Sequence, residues 1–172
     1  MRRSTWIVGS VVAAAICCVA LAQQVRLPWQ TSNNSLGQPK QSVEFVYPLQ
    51  LTLKAGKPTP VALQFHVLSG LHINSHKPTN DSFIATTLAV EANSAVKLNA
   101  VHFPPGEMYS VAGFSGQKLS VYTDEFIVHG MMTAPRGDHM MIASLRYQAC
   151  DTTTNSCYPP RLAPVAIDVI GK

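Results

Sequence analysis

Val61-Ala62-Leu63-Gln64-Phe65-His66-Val67 sets an apolar side chain at every second position, with small or polar residues between. Side chains two apart share one face of a strand, so the stretch reads as a strand with one face in a core. Working outward, Val96, Leu98 and Ala100 alternate in the same way ahead of Phe103. Further extended runs cover residues 43–53, 84–91, 119–122, 126–132, 140–147 and 163–170. Pro135-Arg136-Gly137-Asp138 carries turn chemistry and predicts a hairpin between the two runs that flank it. Beyond residue 22 no segment keeps helical periodicity for three turns. Short strands with frequent turn signals predict an all-β fold, an antiparallel β-sandwich of immunoglobulin-like type. The inter-sheet Cys…Trp…Cys pattern of antibody domains is missing, because Trp29 precedes the strands and the cysteines lie close together.

The chain begins with Met1-Arg2-Arg3, continues through an apolar run from Trp6 to Leu21, and then offers Ala20-Leu21-Ala22. This is the pattern of a secretory signal peptide over residues 1–22, with cleavage expected before Gln23. The run is short for a membrane span, which needs about 20 residues. Cys17 and Cys18 do not make a lipoprotein site, since Ile16 stands where a small residue should precede the cysteine. Residues 23–41 are polar and read as a flexible tether, leaving residues 42–172 as the folded domain. An exported, periplasmic location is expected. Loss of Arg2 and Arg3 leaves 11 basic against 9 acidic residues, a net charge of about +2. No basic cluster remains, which argues against nucleic acid as a partner and against an electrostatic membrane anchor. About 150 residues suffice for one domain with its own core.

Beyond the signal segment the only cysteines are Cys150 and Cys157, in Tyr-Gln-Ala-Cys-(six residues)-Cys-Tyr-Pro-Pro. In an exported chain such a pair can persist as a disulfide. The spacing lets the two meet across a hairpin or tight loop, with Cα atoms expected about 4.4–6.8 Å apart. Closing so short a loop constrains the unfolded chain by only about 2.5 kcal/mol. That favours a disulfide that is made and broken over a staple, although a structural staple remains the alternative. Exchange chemistry needs a thiolate to attack a disulfide and a second cysteine within reach to displace the mixed disulfide. Pro159-Pro160 stiffens the backbone after Cys157 and removes two donors beside it.

Gly70-Leu71-His72-Ile73-Asn74-Ser75-His76-Lys77-Pro78, Phe103-Pro104-Pro105-Gly106, Leu145-Arg146-Tyr147-Gln148-Ala149-Cys150 and Cys157-Tyr158-Pro159-Pro160 together carry a resemblance. In their order and spacing they resemble the N-terminal periplasmic domain of the DsbD thiol:disulfide interchange family, over roughly residues 43–169. The resemblance implies an immunoglobulin-like sandwich that passes electrons through its cysteine pair to exported partners. It implies Cys157 as the attacking thiol and Cys150 as the resolving one. It further implies a cap loop, here residues 107–116, with Phe114 as the ring over the cysteines. Longer family members continue into a membrane electron conductor and a thioredoxin-like domain. Since this sequence stops at Lys172, a separate membrane electron conductor or thioredoxin-like donor is expected to reduce it, with exported thioredoxin-fold proteins as acceptors. No cofactor is implied. Val111-Ala112-Gly113 stands where some members carry acidic residues, and the six-residue spacing between the cysteines is wider than expected.

Around the pair, Asp151 would raise the thiol pKa of Cys150 if charged nearby, and Arg161 would lower that of Cys157. Either also reads as a solvated loop charge. Tyr147 and Tyr158 are expected to pack around the loop. His72 and His76, with Asn74 between, fall on the strand and turn that the resemblance places near the cysteines, where a structural role is favoured over proton transfer. Two rivals belong to other classes. His129, Met131 and Met132 would face His139, Met140 and Met141 across the Pro135 turn, a soft ligand set suited to copper. Strand alternation lets at most half of them converge. An inert adhesion or scaffold sandwich would share the fold without the chemistry. No nucleophile motif, Gly-rich phosphate loop or zinc-type cysteine set is present.

Overall fold

The strand expected from Val61 to Val67 is the centre of β3, at the heart of a computed structural model that describes residues 41–110 and 118–172. Among the described residues twelve strands run in order: β1 (Val43–Tyr47), β2 (Gln50–Leu53), β3 (Thr59–Val67), β4 (Leu71–Asn74), β5 (Thr87–Val90) and β6 (Lys97–His102). They continue as β7 (Glu107–Ser110), β8 (Lys118–Tyr122), β9 (Glu125–Thr133), β10 (Gly137–Tyr147), β11 (Ala149–Asp151) and β12 (Arg161–Gly171). No helix occurs among the described residues. The signal segment, most of the tether and Phe114 lie outside them.

The described residues form three four-stranded sheets, ordered β1-β3-β9-β6, β2-β12-β10-β5 and β11-β4-β8-β7. The first two supply most of the core. Val61, Leu63, Phe65 and Val67 of β3 and Phe126, Val128 and Met132 of β9 share one buried cluster with Met141, Ala143 and Leu145 of β10 and Ala163, Val165, Ile167 and Val169 of β12. Alternation along each strand sends these residues inward and their neighbours outward, as the period of two requires. Phe45, Phe65, Phe126 and Tyr122 add a run of ring contacts at 4.5–5.5 Å between centroids. The immunoglobulin-like sandwich is therefore present.

The third sheet consists of continuations of the long strands. β4 follows β3 after a bend at Gly70, whose φ of 79° lies in the left-handed region. β8 leads into β9 through Asp124, also left-handed at 47°, whose carbonyl accepts from the Val67 N–H. β11 follows β10 after Gln148. Continuations of β3 and β9 thus pair again as β4 and β8, the continuation of β10 joins them from the other sheet as β11, and β7 completes the small sheet that carries Cys150.

Two expectations are corrected. The run over 43–53 is broken at the cis Tyr47-Pro48 bond, where the chain changes sheets: β1 pairs with β3 and β2 pairs with β12. The β2–β12 pairing is parallel, unlike the antiparallel pairs elsewhere. The Pro135 turn makes no hairpin, because β9 pairs with β3 and β6 while β10 pairs with β5 and β12. It is a crossover between sheets, held where Gly171 lies so close under the Pro135 carbonyl that a Cβ would overlap it.

Candidate functional site

Cys150 sits on β11, and Cys157 faces it across an isolated antiparallel bridge. Their sulfurs are bonded at 2.02 Å, and the Cα atoms are 3.9 Å apart, below the expected range. The ladder explains the closeness. Asp151 N–H donates to the Ser156 carbonyl and Tyr158 N–H to that of Ala149, both at 2.9 Å, so Cys150 and Cys157 form the non-hydrogen-bonded pair between two bonded ones. Such pairs are the narrow rungs of an antiparallel ladder, about 4.5 Å between Cα atoms. The two cysteines differ sharply in exposure. Cys150 is 2% exposed, whereas Cys157 lies open to solvent.

Asp151 builds the loop between them. Its Oδ1 accepts from the backbone N–H groups of Thr154 (2.7 Å) and Thr153 (2.8 Å) and from the Thr154 hydroxyl (3.2 Å). Its carbonyl accepts from Asn155 N–H at 2.9 Å, and Asn155 turns the chain at φ 56°. The Thr154 and Thr153 amides hold its carboxyl below the usual aspartate range, with a small contribution from His72. The carboxylate is thus committed to the turn, a role the Asp-Thr-Thr-Thr-Asn composition could have signalled. Thr152 pins the loop to the β3–β4 bend, its N–H and hydroxyl both donating to the Gly70 carbonyl at 2.9 Å. The Tyr109 hydroxyl donates to the Thr152 carbonyl at 3.3 Å.

Asn74 braces the other side. Its Nδ2 donates to the Ile84 carbonyl at 3.2 Å and to Gln148 Oε1 at 3.4 Å, while Gln148 Nε2 donates to the Tyr158 carbonyl at 3.1 Å. The strand bearing Cys157 is therefore tied through Gln148 to β4. Gln148 belongs to the Tyr-Gln-Ala-Cys motif, but nothing in that motif signals this bracing role. Tyr158, next to Cys157, is partly buried and packs against the core cluster. The buried Tyr147 hydroxyl accepts from Ser42 N–H at 3.1 Å, where the chain enters the domain. Arg161 opens β12 opposite Tyr147.

His72 lies opposite Cys150 in the β4–β11 pairing, on the same sheet face. It is 1% exposed, and neither ring nitrogen has a hydrogen-bond partner among the described residues. Its ring rests against Tyr109 at 4.6 Å between centroids. Burial lowers its pKa below 6.5, partly countered by the Asp151 charge. His76 is placed elsewhere: its ring stacks on Phe103 at 4.3 Å, and Nδ1 meets the Thr86 carbonyl at 2.9 Å.

The expected cap loop begins as a strand. Glu107–Ser110 is β7, paired with β8 through Tyr109 opposite Leu119 and Ser110 opposite Lys118. Residues 111–117, with Phe114, lie outside the described residues. The copper reading loses its geometry along with the hairpin. Met132 and Met141 are fully buried in the core, whereas Met140 is exposed on a different sheet from His129 and Met131.

An immunoglobulin-like sandwich with a half-exposed cysteine pair on a side sheet is the class these observations define. Residues 38–167 match the family described as "Thiol:disulfide interchange protein DsbD, N-terminal", and the chain belongs to it. Among solved structures, the reduced N-terminal domain of Neisseria meningitidis DsbD is 21% identical, with a TM-score of 0.45 over 68% of this chain and 82% of that one. The complex of the DsbD and PilB N-terminal domains from the same organism gives 19% identity and a TM-score of 0.44, covering 78% of this chain and 88% of that one. A cohesin module from a Clostridium perfringens glycoside hydrolase follows at 7% and 0.41, covering 76% and 97%. Comparison with curated proteins finds no match.

Proposed function

We propose that this domain works in the periplasm as a thiol:disulfide exchange module, receiving electrons at Cys150 and Cys157 and passing them to exported thioredoxin-fold acceptors. Membership of the DsbD N-terminal family supports the chemistry. The observation that carries the division of labour is the unequal exposure of the two sulfurs' residues, 2% for Cys150 against an open Cys157. An incoming sulfur must approach along the axis of the bond it breaks, and only the exposed cysteine offers that approach. Cys157 is then the attacking thiol and Cys150 the resolving one. Donors of the same chemistry are a membrane electron conductor or a thioredoxin-like protein. Reduction of disulfides and support of cytochrome c maturation are the pathways such an electron flow would serve. The capping role of Phe114 belongs to this proposal, with the β7–β8 hairpin as its frame.

Trapping tests the assignment. Reduced Cys150→Ala should accumulate a stable mixed disulfide with an oxidised thioredoxin-fold acceptor, whereas Cys157→Ala should form none. Equal trapping by both variants would overturn the assignment of roles. Failure of both to form any adduct, with wild type equally inert, would overturn the exchange reading and favour a structural staple. Phe114→Ala should leave the fold intact and speed alkylation of the reduced thiols by a small reagent; unchanged rates would remove the cap.

A further inference from the structure

Buried polar atoms in folded proteins nearly always find hydrogen-bond partners, and an exception beside a reactive group calls for an explanation. His72 is such an exception: both ring nitrogens are buried and unpartnered among the described residues, opposite Cys150. A disulfide sulfur is a weak acceptor and offers no proton. A thiol at the same position offers an S–H donor. The orphaned ring therefore fits the reduced pair better than the oxidised one.

We propose that His72 takes the proton from the Cys150 thiol when that thiol resolves the mixed disulfide, and returns it in the reverse direction. The proposal rests on the exchange reading above and adds a proton carrier to it. The Cys157 thiolate first attacks the partner's disulfide, forming a Cys157–partner bond and releasing one partner thiolate. The Cys150 S–H then passes its proton to a His72 ring nitrogen. The Cys150 sulfur bonds that of Cys157, and the second partner sulfur leaves with the electron pair. Protonated His72 finally yields its proton to the released thiolate or to water. The partner's disulfide is reduced to two thiols, and the Cys150–Cys157 pair is oxidised by the same two electrons.

The need follows from burial. An isolated thiolate at a residue only 2% exposed has no water to solvate it, so deprotonation must be coupled to attack. The other titratable groups around His72 are already engaged. On β11, Asp151 Oδ1 is held by Thr153 and Thr154. On β7, the Tyr109 hydroxyl donates to Thr152, and Glu107 accepts from the Thr123 hydroxyl at 3.1 Å. From β8, Leu119 and Val121 bring only apolar side chains to this face, and exposed Lys118 pairs opposite Ser110. On the return strand, Tyr158 alternates to the face opposite Cys157. Burial lowers the ring's pKa and so keeps it neutral near neutral pH, with a nitrogen lone pair open to a proton.

Mixing the reduced full chain, with Cys17 and Cys18 replaced by serine so that only Cys150 and Cys157 carry thiols, with excess 5,5′-dithiobis(2-nitrobenzoate) in a stopped-flow instrument separates the steps. The first thionitrobenzoate reports attack by Cys157, and the second reports resolution by Cys150. In His72→Gln the first release should stay within about twofold, while the second slows by on the order of 10²-fold near pH 7. In wild type the second release should follow an ionisation below the ordinary histidine value; in the variant it should follow thiol ionisation near pH 8.5 or above, about the free-cysteine value. A second release unchanged in rate and pH profile would overturn the proposal while leaving exchange intact. Should His72→Gln not fold, the wild-type profile decides alone: a second release following only thiol-like ionisation overturns the proposal. Absence of any release from folded wild type would remove the exchange reading and this proposal with it.

Discussion

Asn74 and Gln148 link the Ile84 carbonyl to that of Tyr158, beside Cys157, through three side-chain hydrogen bonds, so their loss should be felt at both the fold and the site. Asn74→Ala leaves the Ile84 carbonyl and Gln148 without their donor in a region only 2% exposed and should cost about 1–3 kcal/mol, read as a shift in urea midpoint. His72 adds a pH signature. Its folded pKa lies below 6.5, so between the two values the unfolded chain binds a proton that the folded chain excludes. Its share of stability is therefore full above 6.5, falls as pH drops below that value, and levels off beneath the folded pKa. Urea midpoints from about pH 5 to 8 should show this decline in wild type and a shallower one in His72→Gln; parallel curves would contradict it. The cysteine pair was legible in a short motif, whereas the nearness of His72 and Asn74 to it came only through the family resemblance. The loop-building of Asp151 and the bracing by Gln148 were not legible, because each depends on which carbonyl or amide the fold brings within reach.

At the level of elements, alternation identified strands wherever one face is buried, as in β3, β9, β10 and β12. It failed at the joins. Nothing in the apolar pattern of residues 43–53 tells that the chain changes sheets at Pro48, nor does Pro135-Arg136-Gly137-Asp138 reveal whether its flanking strands pair with each other. β7 escaped notice because its four residues are mostly exposed and carry no alternating apolar set. The crossover at Pro135 makes its own prediction. Gly171→Ala sets a Cβ against the Pro135 carbonyl, so the terminal turn of β12 or the crossover must shift. A loss of about 1–3 kcal/mol is expected, the usual cost of overpacking. A neutral outcome in the urea midpoint would mean that β12 and the crossover are not in contact there.

For the molecule as a whole, the sandwich core and the cysteine sheet are separable in function although continuous in chain. The core buries Leu63, Phe65, Val128, Met132, Leu145, Val165 and Ile167 completely, without drawing on either cysteine. The disulfide closes a short loop on the side sheet and should contribute about 2.5 kcal/mol or less, against a typical total of 5–15 kcal/mol. A domain built this way should keep its fold when the disulfide is reduced, as the proposed exchange requires. The direct measurement is titration of the native protein with a thioredoxin-type reductant, following free thiols and circular dichroism together. Two thiols per chain should form reversibly at Cys150 and Cys157 with the β-sheet spectrum unchanged. A disulfide that yields only when the protein is unfolded, or a fold that collapses on reduction, would contradict the account.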